Sequence, residues 1–257
     1  FAQQAENLHL ELFNKSDSSI GEMLFLDMMS DKLDMEKKYL KKMQTRRDFI
    51  NLKDVILPYI KFETDEFNSV LEFFKEQTIT EATKDALKHC LIFDGMDYFY
   101  GLGGLHAARG NSIFQSDEDN IILSVDFASF YPNISIKNKF YPEHLSESFC
   151  ILYEELFEKR KLIPKSNPQN TAIKLLLNAT FGKAGDEYSF LYDKFFQMAI
   201  TVNGQLILSM LCEQLSKIEG VRMVMANTDG CELIVPKSKK REVYNVCLGI
   251  EELTQLQ

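Results

Sequence analysis

Close cysteine pairs are missing from this sequence. Its five cysteines (Cys90, Cys150, Cys212, Cys231 and Cys247) are odd in number, scattered, and never spaced as Cys-x-x-Cys. That usage predicts neither a disulfide framework nor a zinc site, and it suits a reducing compartment. A run of about 18 apolar residues is also lacking, so the sequence is read as having no membrane-spanning helix. The chain opens at Phe1 with neither a Met nor a signal-type apolar core, and a fragment of a longer protein is expected. Proline and glycine are modest, at 6 and 12 of 257 residues, and no repeat or low-complexity segment stands out. What is present is 45% hydrophobic and 26% charged residues, with 20 Phe and 10 Tyr. That supply excludes disorder and suffices for one large domain or two small ones.

A net charge of -9 would ordinarily argue against nucleic acid as a partner. The charge is unevenly spread. Residues 1–120 carry 14 basic and 22 acidic side chains, whereas residues 121–257 carry 15 and 16. Within the second part, residues 159–183 hold Lys159, Arg160, Lys161, Lys165, Lys174 and Lys183 and no acid. Screening limits charge effects to about 10 Å, so a polyanion responds to such a segment more than to the global sum.

The first hundred residues read mostly as helix: residues 33–49, residues 65–75 with Phe67, Val70, Leu71 and Phe74 at helical spacing, and residues 80–89 with Thr80 as N-cap. Gly101, Gly103 and Gly104 make the segment up to His106 a loop, and residues 111–120 are a polar surface connection. From Ile121 to Val125 the chain reads as a buried strand ending at Asp126. Residues 149–161 and 169–181 predict a helical hairpin broken by Pro164 and Pro168 and stopped at Gly182. Residues 200–218 predict a long amphipathic helix. Two strands, 221–226 and 231–235, flank Asn227, Thr228, Asp229 and Gly230, a hairpin signal. Residues 237–256 predict a last helix.

Three constellations could carry chemistry. Asp126 follows an apolar strand and precedes Phe127, Ser129, Phe130, Tyr131 and Pro132; a carboxylate at a sheet edge can hold a cation, and the turn exposes N–H groups to a phosphate. Asp126 or Ser129 reads equally well as the cap of the next helix. Lys174, Asn178 and Phe181 share one helix face at i, i+4 and i+7, a surface for triphosphate and base; a solvated lysine beside a core Phe is the plainer alternative. Asp229 at a hairpin tip could converge with Asp126 on one cation, although Asp-Gly is also what tight hairpins use.

In their order, these segments resemble the motifs of family B DNA polymerases, in particular the phage-type members. Residues 126–132 resemble motif A, residues 174–182 motif B, and residues 227–230 motif C. Tyr141 to Leu145, Tyr192 with Asp193, and Ile200 to Gln205 add further matches, and Gly103, Gly104 and His106 resemble the glycine-rich loop joining exonuclease to polymerase regions. The resemblance covers residues 95–257. It implies an α+β fold: a polymerase palm built as an antiparallel sheet with helices on one face, a helical-hairpin fingers insertion, and a mostly helical N-terminal region. The implied divisions are 1–94, the end of an exonuclease domain or a scaffold behind the palm; 95–120, the connecting loop; 121–150, palm; 151–183, fingers; and 184–257, palm again.

The resemblance further implies template-directed DNA synthesis on primer-template DNA with dNTPs, in bacterial or phage-infected cytoplasm and away from membranes. Asp126 and Asp229, with the Phe127 carbonyl, would hold two Mg²⁺ ions, with Mn²⁺ as a substitute, about 3.5–4 Å apart. Ser129, Phe130 and Tyr131 would contact the triphosphate through their backbone, and the Tyr131 ring would crowd a ribose 2′-hydroxyl. Arg160 and Lys174 would grip the phosphates, with Lys174 as general acid. Asn178 would face the nucleotide; Phe181, Gly182, Lys183, Thr228, Gly103 and Gly104 would face the DNA. Asn227 and Gly230 stand where motif C usually carries aspartate and serine, and Phe181 where tyrosine is common. No exonuclease carboxylate cluster is recognisable, and no thumb follows in the 28 residues after Asp229. The alternatives are a catalytically incompetent nucleic-acid-binding remnant and an RNA-synthesising palm enzyme, which Tyr131 argues against.

Overall fold

The computed structural model describes residues 15–80, 87–110 and 112–257. Its contacts divide the chain into two compact units. One joins residues 15–47 with Tyr131–Gln197; the other joins Asp48–Phe130 with Met198–Gln257.

The first unit is helical. Helix α1 (Asp17–Leu33) starts where Ser16 caps the Ser19 N–H and stops at Asp34, whose φ of 49° is left-handed. A short helix α2 (Lys37–Leu40) follows, and Lys37 pairs with the buried Asp27. The helix expected over residues 33–49 therefore does not form: its lysines and arginines leave too few apolar positions for a buried face, and α1, which the pattern did not single out, lies before it. Helices α5 (Ser148–Lys161) and α6 (Pro168–Gly182) make the expected hairpin. Asn167 caps α6 by accepting from the Gln169 N–H, and Pro168 sits at the first helical position, where its missing N–H costs nothing. The Tyr153 hydroxyl donates to Leu177 O at 2.6 Å, tying α5 to α6. Phe25 of α1 meets Phe149 and Tyr153 of α5 at ring distances of 5.3 and 6.2 Å, so α1 shares this core. Helix α4 (Phe130–Asn138) begins at the boundary between the units.

Two of the further matched segments brace this unit from within. Asp193, 1% exposed, accepts from Arg47 Nη1 (2.8 Å) and from the N–H groups of Glu143, Phe195 and Phe196. The His144 ring bridges Thr45 Oγ1 (2.8 Å) and Phe190 O (2.7 Å). Burial lowers the His144 pKa below 6.5, which fits a neutral ring donating from Nε2 and accepting at Nδ1.

The second unit is built on a six-stranded antiparallel sheet in the order β3-β4-β5-β7-β8-β6. The strands are β3 (His89–Phe93), β4 (Met96–Tyr100), β5 (His106–Ala108), β6 (Asn120–Asp126), β7 (Arg222–Asn227) and β8 (Gly230–Pro236). A separate two-stranded ribbon pairs β1 (Ile50–Asn51) with β2 (Thr78–Ile79). Helix α3 (Asp65–Glu76) matches the expected 65–75, with Thr64 as N-cap. Strands β3 and β4 lie in the first hundred residues, which read mostly as helix, and β5 lies in the stretch 95–120 read as a connecting loop. Residues 81–86 of the helix expected over 80–89 lie outside the described residues, and His89 already belongs to β3. Asp94 and Gly95, at φ 47° and 68°, make the two-residue turn between β3 and β4.

Helix α7 (Lys194–Ser216) is 23 residues long, and its most apolar window makes it long and apolar enough to cross a membrane by length and composition. The absence of an unbroken apolar run concealed this, because Thr201, Asn203, Gln205 and Ser209 interrupt the run while adding no charge. Eighty-nine per cent of that window is buried within the protein, the environment of a core helix. Its polar residues are spoken for. Asn203 accepts from Leu57 N–H and donates to Val55 O, and Glu213 accepts from the N–H groups of Glu63 and Thr64 and from the Thr64 hydroxyl. Helix α8 (Lys240–Thr254) closes the described chain.

Candidate functional site

The register of the sheet assembles one group of candidates within the second unit. Strand β6 pairs with β8 so that Asp126 lies opposite Gly230, and β7 pairs with β8 so that Asn227 also lies opposite Gly230. Thr228 and Asp229 form the turn between, with Thr228 at φ 55°. Asp126 therefore ends its strand beside the turn that carries Asp229, and the Phe127 N–H donates to Asp229 O at 2.8 Å. Both aspartates are exposed. Strand β6 is not wholly buried as expected; it alternates, with Ile122, Ser124 and Asp126 on its open face.

The glycine-rich loop reaches the same end of the sheet. His106 pairs with Asn227, and the Thr228 N–H donates to Leu105 O at 2.8 Å. A Cβ at Gly104 would stand 2.8 Å from Thr228 Oγ1 and 3.2 Å from its Cα, so the loop and the hairpin tip meet only because position 104 has no side chain. Gly103 faces open space. Gln205 of α7 fixes the loop's start, accepting from the Gly101 N–H and donating to Gly101 O, both at 3.0 Å. The matched segment 200–205 thus works as scaffolding: Asn203 and Gln205 satisfy backbone groups that no strand or helix would satisfy.

Oxygen donors dominate here. Among the described residues no cluster of three or more His, Cys, Asp or Glu side chains forms. Asp126 and Asp229 offer exposed carboxylate oxygens, the donor type that hard divalent cations take. The residues fit Mg²⁺ or Mn²⁺ better than zinc. Cys231, next to Gly230, is buried, and a hydrogen bond with the Cys212 thiol, then burial, hold its pKa above the ordinary value. It stays a protonated thiol, a poor ligand.

The second group of candidates belongs to the first unit. Lys174 and Asn178 are exposed and Phe181 half-buried, so the expected stripe does face outward from α6. The Tyr131 and Phe181 rings meet at 4.7 Å. Alongside the stripe lies a cleft of about 510 Å³, lined by Asn178, Gly182, Lys183 and the first turn of α1. Arg160 is turned toward its own hairpin, where Nε donates to Asn170 Oδ1 at 3.2 Å. Lys183 is paired with Asp186 at 2.7 Å and Glu22 at 3.6 Å, and the Asp186 hydrogen bond raises its pKa. Of the basic segment, Lys159, Lys165 and Lys174 are exposed and carry no ion pair among the described residues. Ser129, at φ 48°, and Phe130, whose ring stacks on Phe127 at 4.4 Å, lie in the second unit with Asp126.

No family model and no curated protein matches the chain. Among solved structures, the family B DNA polymerase from the hyperthermophilic archaeon Pyrobaculum calidifontis is a distant structural neighbour. Identity is 18% and the TM-score 0.36, and the match covers 57% of this chain and 26% of that chain. The matched region thus spans about a quarter of that polymerase.

Proposed function

We propose that the chain is the core of a template-directed DNA polymerase, with the antiparallel sheet as palm and the α5–α6 hairpin as fingers. The observation that carries this reading is the pairing of Asp126 with Gly230, which brings two exposed carboxylates from distant parts of the sequence to one end of one sheet. Asp126, Asp229 and the Phe127 carbonyl would hold Mg²⁺ or Mn²⁺. When bound, two such ions activate a primer 3′-oxygen and neutralise the departing pyrophosphate.

The chain's own groups supply the rest. Lys174 Nζ neutralises the triphosphate and gives a proton to the leaving pyrophosphate oxygen. Asn178 and Phe181 contact the incoming nucleotide, and the Tyr131 ring, braced on Phe181, excludes a 2′-hydroxyl. Gly103, on the open side of its loop, lets a template strand approach the backbone. Lys183 and Arg160 have internal partners, so they contribute less to phosphate binding than Lys174. Thr228 and Gly104 shape the hairpin tip, and Gly182 leaves the end of α6 open.

Sugar selection tests the reading. Single-nucleotide incorporation with dNTPs and rNTPs should favour dNTPs, and Tyr131→Ala should narrow that preference by roughly ten-fold or more, the worth of one steric contact of about 1.4 kcal/mol. Equal use of both sugars by the unmodified chain would favour an RNA-synthesising enzyme. DNA binding without incorporation under either metal would favour the incompetent remnant.

A further inference from the structure

The Asp126 carboxylate is held on both sides by groups to which no motif assigns a role. A Cβ built at Gly230 would fall on Asp126 Oδ1, with Val125 O at 2.7 Å and Asp126 Cγ at 2.9 Å. The carboxylate therefore occupies space beside a strand position that only glycine leaves vacant. Its other oxygen, Oδ2, accepts a hydrogen bond from Ser124 Oγ at 3.2 Å. Backbone geometry fixes both partners. Gly230 is opposite Asp126 in the β6–β8 ladder, and Ser124, two residues back on β6, points to the same open face.

We propose that Ser124 and Gly230 are positioning residues that fix the rotamer of Asp126 for cation binding. The inference rests on the reading of Asp126 as a ligand. An exposed aspartate at a strand end otherwise samples several staggered rotamers, and each added rotamer spreads its lone pairs away from the cation. With Oδ2 bridged to the hydroxyl and Oδ1 set over bare backbone, one orientation is selected before any cation arrives. The glycine at 230, where the resemblance leads one to expect serine, is then a requirement of this arrangement: a serine Cβ would meet Oδ1 and turn the carboxylate away.

Mn²⁺ binding to the full chain, followed by electron paramagnetic resonance, tests this without requiring turnover. Ser124→Ala should weaken Mn²⁺ binding by about ten-fold, the lower end of what ligand-orienting hydrogen bonds contribute. Ser124→Thr, which keeps the hydroxyl, should recover most of that loss, and Gly230→Ala should weaken binding at least as much as Ser124→Ala. Because Ser124 is exposed, its variants should keep the wild-type unfolding midpoint, so the serine pair decides the matter even if Gly230→Ala folds poorly. Wild-type affinity in Ser124→Ala, with affinity lost in Asp126→Ala, would overturn the positioning role and leave Asp126 a ligand. A threonine variant no better than the alanine variant would also overturn it. Wild-type affinity in Asp126→Ala would overturn the ligand assignment itself, and the inference with it.

Discussion

Asp126 and Asp229 are exposed, so replacing either with alanine removes oxygen donors and opens no cavity. Asp126→Ala and Asp229→Ala should therefore keep thermal midpoints within a few degrees of wild type and DNA affinity within about three-fold, since phosphate contacts dominate such affinity. Circular dichroism and fluorescence anisotropy check both. Lys174→Ala should raise the KM for dNTP by about ten-fold or more, the worth of one charge-assisted contact, with primer-template affinity unchanged; steady-state incorporation kinetics measure it. The two aspartates were legible in sequence because each follows or tips an apolar strand. The contacts of Ser124 and Gly104 were not, because they depend on which side chain lies two residues along the strand or beneath a missing Cβ. Lys183 illustrates the converse. A basic run suggested a phosphate contact, yet Asp186, three residues on, and Glu22, far off in sequence, engage it.

Within the helical unit, the elements converge on Asp193 and His144. Asp193→Ala should destabilise the protein by about 3 kcal/mol, since it strands three backbone donors and the Arg47 guanidinium; urea denaturation measures it. His144 makes stability pH-dependent. Its folded pKa lies below 6.5, so the unfolded chain takes up the proton first as pH falls. The contribution is whole above 6.5 and is lost as pH falls from there through the folded value. His144→Gln should therefore change the slope of Tm against pH between about 7 and 5, and an unchanged slope would exclude this residue as the cause. Elements with strong helical period or proline punctuation, such as α3, α5 and α6, could be read from sequence alone. Strands β3 and β4 could not, because their alternation spans only five residues each, although Asp94–Gly95 carried the hairpin signal. Residues 33–49 misled by charge periodicity without an apolar face.

At the scale of the molecule, the chain forms two units, one helical and one built on an antiparallel sheet, and contributes a group of candidates from each. Residues 15–47 pack with the α5–α6 hairpin in the helical unit, and residues 48–80 with the sheet unit, a division that no composition shift announced. The most direct measurement is single-nucleotide incorporation into a labelled primer-template at high protein concentration, with Mg²⁺ or Mn²⁺, for the wild-type chain and Asp229→Ala. The account predicts extension coupled to pyrophosphate release by the wild type, reduced on the order of a thousand-fold in the variant. Equal extension by the two proteins would contradict the assignment of the Asp126–Asp229 sheet end as the site of synthesis.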